Sequence, residues 1–322
     1  MKKFICLMLT VLLTLSLFAG CSEKADDGIL RIAIVQQLDH SSLDEISNAV
    51  TAQLEKTAAE KGVQVEYKHF NGQNDTSILA QIGTQVVSDG YDVIIPIATL
   101  AAQYSVTAAE GTDIPIIYAA VSDPAGAGLT GLPTVTGVSD ALNTPFIMDM
   151  MFAADPEIEA VGLLYSLSEP NSEMPIAEAK AYLDAKGIPY IEKTGNTADE
   201  VITAATALVG RVDAVFTPTD NAIMNVAPSV AEIFANAGIA HYTGADSFVQ
   251  TGAFTTCGVN YTELGTKVGD IAFDILNGGA IGEFVVMDGG IITVNTNAAD
   301  ACDIDYSVFN EMANTVNAIT VD

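Results

Sequence analysis

From Ile29 onward the chain alternates short β-branched runs with longer runs of helical periodicity, and it passes through that alternation twice. In the first series residues 30–35 read as a buried strand, 43–61 as an amphipathic helix and 63–70 as the next strand. Helices at 75–88 and 101–109 then interleave with strands at 93–97 and 114–118. The second series has strands at 160–165, 188–191, 212–216 and 239–242, with helices at 174–185, 198–209 and 222–237, the last carrying Pro228 inside it. Strands separated by helices at this spacing build βαβ units and a parallel sheet covered on both faces. Two such series predict an α/β chain of two Rossmann-like doubly wound parallel-sheet lobes with a ligand cleft between them. Open sheets of this kind bind ligands at the carboxyl edge. The loops that fall there are 36–42, 98–99, 120–124, 166–172, 217–221 and 244–248, all rich in small polar residues.

A length of 322 residues suits two domains. The charge balance, 41 acidic against 12 basic side chains and a formal net charge of −29, excludes nucleic acid as the main partner, because phosphates are held by Lys and Arg. It equally disfavours a protein surface that docks on anionic lipid headgroups. With 49% of residues hydrophobic the acidity does not signal disorder; it serves solubility and self-repulsion.

Residues 1–20 stand apart from the fold. Lys2 and Lys3 precede an apolar stretch over 4–18, followed by Ala19-Gly20-Cys21. A run of ~15 residues is short for a membrane span and right for a secretory signal. Its close resembles a bacterial lipoprotein signal, which implies cleavage before Cys21, a diacylglycerol on that thiol and an extracytoplasmic protein lipid-anchored to the bacterial cell membrane. An uncleaved anchor helix is the alternative. Residues 21–28 read as a polar tether. Beyond Cys6 and Cys21 there remain Cys257 and Cys302, which outside the cytoplasm either pair or stay as two buried thiols; the spacing favours neither.

Catalytic and cofactor motifs fail on context. Gly126-Ala127-Gly128-Leu129-Thr130-Gly131 matches G-x-G-x-x-G, yet Asp123-Pro124 precedes it, Pro133 follows and 134–136 looks extended, so no helix opens on it to receive a pyrophosphate. There is no P-loop, no H-E-x-x-H and no G-x-S-x-G. His40, His69 and His241 stand alone, with no metal-ligand spacing. The expectation is a protein that is not an enzyme and has no cofactor or metal. A surface-anchored hydrolase, its triad assembled from distant residues, is the remote alternative.

The candidate ligand contacts on the carboxyl-edge loops are His40, Ala98, Thr99, Ser122, Ser168, Asn171, Ser172, Thr219, Asp220, Asn221 and Asp246. Several have a purely structural reading as well: Asp220 lies between a strand and a helix and suits an N-cap, as do Asn171, Ser172, Thr99 and Ser122, and His40 suits an exposed loop. Asp220 and Asp246 are suitable partners for a ligand ammonium. Arg31 and Arg211, the chain's arginines, fall at the starts of predicted strands, far from the carboxyl edge. A ligand carboxylate therefore has to rest on helix N-termini, backbone N–H groups and hydroxyls such as Thr99 and Ser122. With no Trp in the chain, Tyr165, Phe146 and Phe248 are the aromatic candidates, each with core packing as the other reading.

These residues resemble a family. His40-Ser41-Ser42-Leu43-Asp44, Ile97-Ala98-Thr99-Leu100-Ala101-Ala102-Gln103, Ala120-Val121-Ser122-Asp123-Pro124, Gly137-Val138-Ser139-Asp140, the stretch from Tyr165 through Glu169 to Ser172, Pro218-Thr219-Asp220-Asn221 and Tyr261-Thr262-Glu263-Leu264-Gly265 follow in order across the chain. Together they resemble the ABC transporter substrate-binding proteins of the tryptophan/tyrosine type, with a type I solute-binding fold. Ser41, Leu100 and Ser166 depart from the family's usual Pro, Pro and Asn. The resemblance implies a small amphoteric ligand, an aromatic or other apolar amino acid, with its ammonium on aspartates and its carboxylate on first-lobe hydroxyls and amides, and it adds Asp140 to the contacts. It implies delivery to an ABC transporter permease; a ligand-sensing receptor domain of the same fold is the alternative. It also implies three crossings between lobes, with residues 29–140 plus 257–280 forming one lobe and 141–256 plus 281–322 the other.

Overall fold

The computed structural model describes residues 28–321; the expected signal, Cys21 and the tether up to residue 27 lie outside the described residues. The first lobe begins with β1 (Ile29–Gln36), α1 (Ser41–Lys61), β2 (Gln64–Asn71), α2 (Thr76–Asp89), β3 (Val93–Ile97), α3 (Thr99–Ala108), β4 (Ile116–Ala119) and β5 (Val135–Ser139). The second follows with α4 (Thr144–Ala154), β6 (Val161–Tyr165), a 3-10 turn at Pro170–Ser172, α5 (Glu173–Lys186), β7 (Tyr190–Thr194), α6 (Ala198–Thr206) and β8 (Ala214–Thr217). It continues through α7 (Asn221–Met224), α8 (Ala227–Asn236), β9 (Ala240–Thr243), α9 (Asp246–Gln250) and β10 (Thr255–Gly258). The remainder is α10 (Tyr261–Leu276), β11 (Val285–Val286), β12 (Ile291–Asn295), α11 (Thr296–Ala301), α12 (Phe309–Met312) and β13 (Thr315–Ile319).

The two alternating series make two sheets, ordered β11-β5-β4-β3-β1-β2 and β13-β12-β10-β9-β8-β6-β7, every pair parallel except β10 with β12. Central strands such as β3, Val-Ile-Ile-Pro-Ile, are buried along their whole length, as a continuous apolar run in a doubly covered sheet must be. Pro96 has no N–H to donate, and the ladder to β4 pairs only Ile94 and Ile97 on either side of it. Local signals set the helix ends. Asp75 caps α2 by accepting from the N–H groups of Ser77 and Ile78, Thr197 and Glu200 form a capping box on α6, and Gly62 closes α1 at φ 69°.

Three expectations need correction. The single helix over 222–237 is two helices, α7 and α8, broken at Asn225-Val226. The Pro228 ring would clash with the carbonyl a turn earlier, so Pro228 sits in the first turn of α8, where its missing N–H has no role. Cys257 belongs to β10 and hence to the second sheet, so the return to the first lobe comes after Gly258 rather than at 257. The last crossing also comes later than 280: β11 pairs with Val138 and Ser139 of β5, which keeps the chain in the first sheet until residue 286. Strand pairing decides both boundaries: β10 lies inside the second sheet between β12 and β9, and β11 lies at the edge of the first.

α10 packs on α1 in the first lobe through glycines. A Cβ on Gly265 would lie 2.5 Å from the Ile46 carbonyl oxygen and 2.7 Å from the Ala49 Cβ. One hydrophobic cluster runs without interruption from Ile34, Leu43 and Val50 of the first lobe to Ile223, Met224 and Phe248 of the second. Among the described residues no helix is long and apolar enough to cross a membrane.

Candidate functional site

The carboxyl ends of the two sheets face each other across a pocket lined from both lobes. On the first-lobe side the chain leaves β3 through Ala98 at φ 78° and β4 through Ala120 at φ 53°, both in the left-handed region that favours glycine. Ala98 needs that geometry to turn directly from β3 into α3, and it places the α3 N-terminus, with buried Thr99, in the cavity wall. Beside it the Ser122 hydroxyl donates to Asp140 Oδ1 at 2.9 Å, and the Tyr261 hydroxyl stands 3.5 Å from Asp140 Oδ2. Burial pushes Asp140 above the ordinary carboxylate range.

On the second-lobe side Asp220 is the N-cap of α7, as its structural reading predicts, and it lines the cavity as well. Its Oδ1 accepts from Ile223 N–H at 3.0 Å, while Oδ2 accepts from Ser166 N–H and the Ser172 hydroxyl, both at 2.7 Å. Burial raises its pKa against the pull of these donors. Asn171 donates its amide to the Thr219 carbonyl. His40 Nε2 lies 3.4 Å from Asn221 Oδ1, and burial lowers this imidazole to about 4, so it is neutral at pH 7. Leu43, Met224 and Phe248 supply the apolar wall.

The cleft is shut by hydrogen bonds between lobes. Ser42 Oγ donates to Asp246 Oδ1 at 2.9 Å, the hydroxyls of Ser122 and Thr219 are 3.1 Å apart, and Gln37 Nε2 donates to Glu169 Oε1 at 2.9 Å. Three buried polar atoms of the lining have no hydrogen-bond partner: His40 Nδ1, Asn171 Oδ1 and Ser247 Oγ. Unsatisfied buried groups are costly, so three around one cavity point to polar groups of a ligand.

Of the sequence candidates, His40, Ala98, Thr99, Ser122 and Asp140 come together in this lining with Asn171, Thr219, Asp220 and Asn221. Four others sit elsewhere. The Tyr165 hydroxyl donates to Glu192, the Ser168 hydroxyl pairs with that of Ser166, Ser172 stands behind Asp220, and Asp246 holds the cleft shut through Ser42. Of the aromatic candidates, Phe248 lines the cavity and Phe146 lies in a neighbouring crevice. Arg31 in β1 pairs loosely with Glu66 at 3.8 Å, and Arg211 precedes β8; neither lines the cavity. Ser247, Tyr261 and Met224 were missed because each lies inside a helix, where nothing in the spacing separates a cavity-facing side chain from a core one. Among the described residues no cluster suits a metal ion. Carboxylates without a cation, the free end of a helix and an apolar wall make a container for a small molecule with one ammonium, one anionic group and an apolar body.

Comparisons with known proteins agree with that geometry. The model of the family described as ABC transporter substrate binding protein matches residues 31–313. The chain is 30% identical over 322 residues to the tyrosine-binding protein of Clostridioides difficile (strain R20291), covering 94% of this chain and 93% of that one. The ABC domain in complex with L-Trp from Streptococcus pneumonia is similar with a TM-score of 0.83 at 28% identity, over 89% of this chain and 99% of that one. A ligand-free, open substrate-binding protein with adhesive properties from Clostridium difficile is similar with a TM-score of 0.68 at 30% identity, over 91% and 100%. The lower score at comparable identity accords with the bonds across the cleft: the lobes here stand closer to the liganded arrangement than to the open one.

Proposed function

Because the chain belongs to the ABC transporter substrate-binding protein family, it is a solute-binding protein rather than an enzyme, and we propose that its solute is an aromatic or other apolar amino acid, captured outside the cell and delivered to a membrane permease. The observation that carries this reading is Asp220, 1% exposed, in the lining of a pocket that no Lys or Arg enters among the described residues. A buried carboxylate without a counter-charge is the natural seat of a ligand ammonium. Asn171 Oδ1 supplies a second acceptor. The ligand carboxylate rests on the α3 N-terminus at Thr99. Ser122 is less suited to it than its hydroxyl suggested, because that hydrogen is directed at Asp140. Phe248, Met224 and Leu43 receive the apolar side chain.

Binding energy shifts the open and closed populations, and the closed form is the shape offered to the permease. The lipoprotein-like signal ending at Cys21 supports an anchor on the outer face of the cell membrane. Calorimetry against the twenty amino acids and the common nucleosides tests the ligand: we expect heat with L-tyrosine or L-tryptophan, and no binding to any amino acid at millimolar concentration overturns the reading. Labelled palmitate incorporated by the cells and lost in Cys21→Ser tests the anchor; equal labelling of both chains refutes it.

A further inference from the structure

One carboxyl group in the shut cleft belongs to neither the cavity lining nor a helix cap. Glu169, just before the turn Pro170–Ser172, is 1% exposed. Its Oε1 accepts from Gln37 Nε2 of the first lobe at 2.9 Å, and its Oε2 accepts from Asn221 Nδ2 of its own lobe at 3.1 Å. Gln37 is held in place by two further bonds: Nε2 also donates to Asn74 Oδ1 at 2.9 Å, and Oε1 accepts from Leu100 N–H, in the first turn of α3, at 3.2 Å. A continuous chain of hydrogen bonds therefore runs from the α3 N-terminus through Gln37, Glu169 and Asn221 to His40. It links the wall suited to a ligand carboxylate with the wall suited to an ammonium.

We propose that Glu169 is the closure latch of this cleft, a positioning residue outside the ligand cavity that joins the two lobes through Gln37 and takes up a proton as they shut. The proposal rests on the solute-capture reading of the cavity. The proton follows from the surroundings. The titratable group beside Glu169 is Asp220, also fully buried, and beyond Asn221 comes His40, which is neutral. Among the described residues no Lys or Arg bonds to this pair, and two adjoining carboxylates out of water cannot both stay ionised. Burial first, then the charge of Asp220, pushes Glu169 up to about 8. Opening removes Gln37, admits water and returns the carboxyl to its ordinary range, so the proton leaves. A single ligand ammonium does not neutralise both acids, and the latch keeps its proton in the liganded form. His40 acts in the opposite sense: burial lowers it to about 4, so closure expels its proton when the pH lies below its ordinary value. Uptake by Glu169 is therefore read cleanly between about pH 7 and 8.

Two measurements on the full chain test the latch. In calorimetry with L-tryptophan and L-tyrosine at about pH 7.5, repeated in buffers of different ionisation enthalpy, the wild type is expected to take up a fraction of a proton per ligand, set by the share of ligand-free molecules that are open and that the ligand shuts. Glu169→Gln, which keeps an acceptor for Gln37, is expected to lose that uptake, and the difference separates Glu169 from Asp140, Asp220 and Asp246. An equal proton count in the two proteins overturns the proposal. Hydrogen exchange of the ligand-free chain is the second measurement and does not depend on the ligand's identity. Gln37→Ala and Glu169→Ala are each expected to speed exchange about 10-fold at 37–42, 98–103 and 166–172, with the two sheets as protected as in the wild type. Unchanged exchange at those loops overturns the latch whether or not an amino acid binds, while failure of every amino acid to bind with faster loop exchange in both variants retains the latch and removes the amino-acid reading alone.

Discussion

Ser42 and Asp246 meet across the cleft, Ser42 Oγ donating to Asp246 Oδ1 at 2.9 Å. Ser42 lies in the first turn of the helix after β1 and Asp246 opens the helix after β9, so the bond ties the carboxyl edge of one sheet to that of the other at the rim of the cavity. Asp246 is mostly buried by this contact, and burial raises its pKa.

Ser42→Ala removes the donor and leaves a mostly buried carboxylate without it. We expect closure to weaken and ligand to leave about 10–100-fold faster, with the association rate little changed, in line with the loss of one charge-assisted hydrogen bond. The chain has no Trp, so the fluorescence of L-tryptophan is itself a probe, and stopped-flow dilution of the complex gives the rate. An unchanged dissociation rate removes this bond from the closure mechanism.

Asp220 has two roles that substitution can separate. Asp220→Asn keeps one acceptor oxygen, for either Ile223 N–H or the Ser166 N–H and Ser172 pair, and turns its NH2 toward the other, so thermal stability should fall by about 1–2 kcal/mol while amino-acid affinity falls about 100-fold or more. Asp220→Ala deprives Ile223 N–H, Ser166 N–H and the Ser172 hydroxyl together, and should cost about 2–4 kcal/mol in denaturant unfolding as well. Equal affinity in wild type and Asp220→Asn places the ligand ammonium elsewhere.

Gly265→Val tests the packing of α10 on α1. Its Cβ would stand 2.5 Å from a backbone oxygen that cannot swing aside, so the helices must separate. Overpacking of this kind costs about 1–3 kcal/mol, and a lowered urea midpoint is the expected result. The same substitution at Gly278, where a Cβ meets nothing within 4 Å but φ is 89°, should cost less and only through backbone strain.

Stability should peak slightly on the acid side of neutrality. Glu169, raised by burial to about 8, contributes stability that is complete below its unfolded value and is lost as pH rises through about 8. His241 and His40, lowered by burial to about 3 and about 4, contribute stability that is present above their unfolded value and is lost as pH falls toward those limits. The two trends cross at about pH 6–6.5, and between there and pH 8 the loss should be on the order of 1–2 kcal/mol. Thermal melts across that range check it; Glu169→Gln should flatten the alkaline limb and leave the acid limb in place.

Much of the architecture was legible because a doubly covered sheet imposes its pattern on the chain residue by residue. Val93 to Ile97 could be read as a buried strand from its branched apolar side chains alone, and Asp220 as a cap from its place between strand and helix. The loops ending β3, β4, β6 and β8 were legible as one site, since a parallel sheet sends all its carboxyl ends to the same edge. Glu169 stood in plain view between Ser168 and Pro170, yet its importance was not visible: a glutamate in a polar loop reads as solvated until the partner lobe covers it. The break before Pro228 and the pairing of β11 with β5 went unread for related reasons, the first a competition between helix continuity and a ring clash, the second a contact made some 150 residues apart.

The sequence by itself determined the two α/β lobes, the acidity that turns the protein away from polyanions, and the absence of an arginine to grip a carboxylate at the carboxyl edge. These follow from periodicity and residue count, which are properties of the chain taken locally. The tertiary structure alone decided which polar side chains share the cavity, which are committed to each other, and that Ser42 reaches Asp246 and Gln37 reaches Glu169. Those bonds join residues 204 and 132 positions apart and depend on how one lobe is set against the other. Their strength comes from the exclusion of water around the bonded groups, and no stretch of sequence carries a record of where water will be removed.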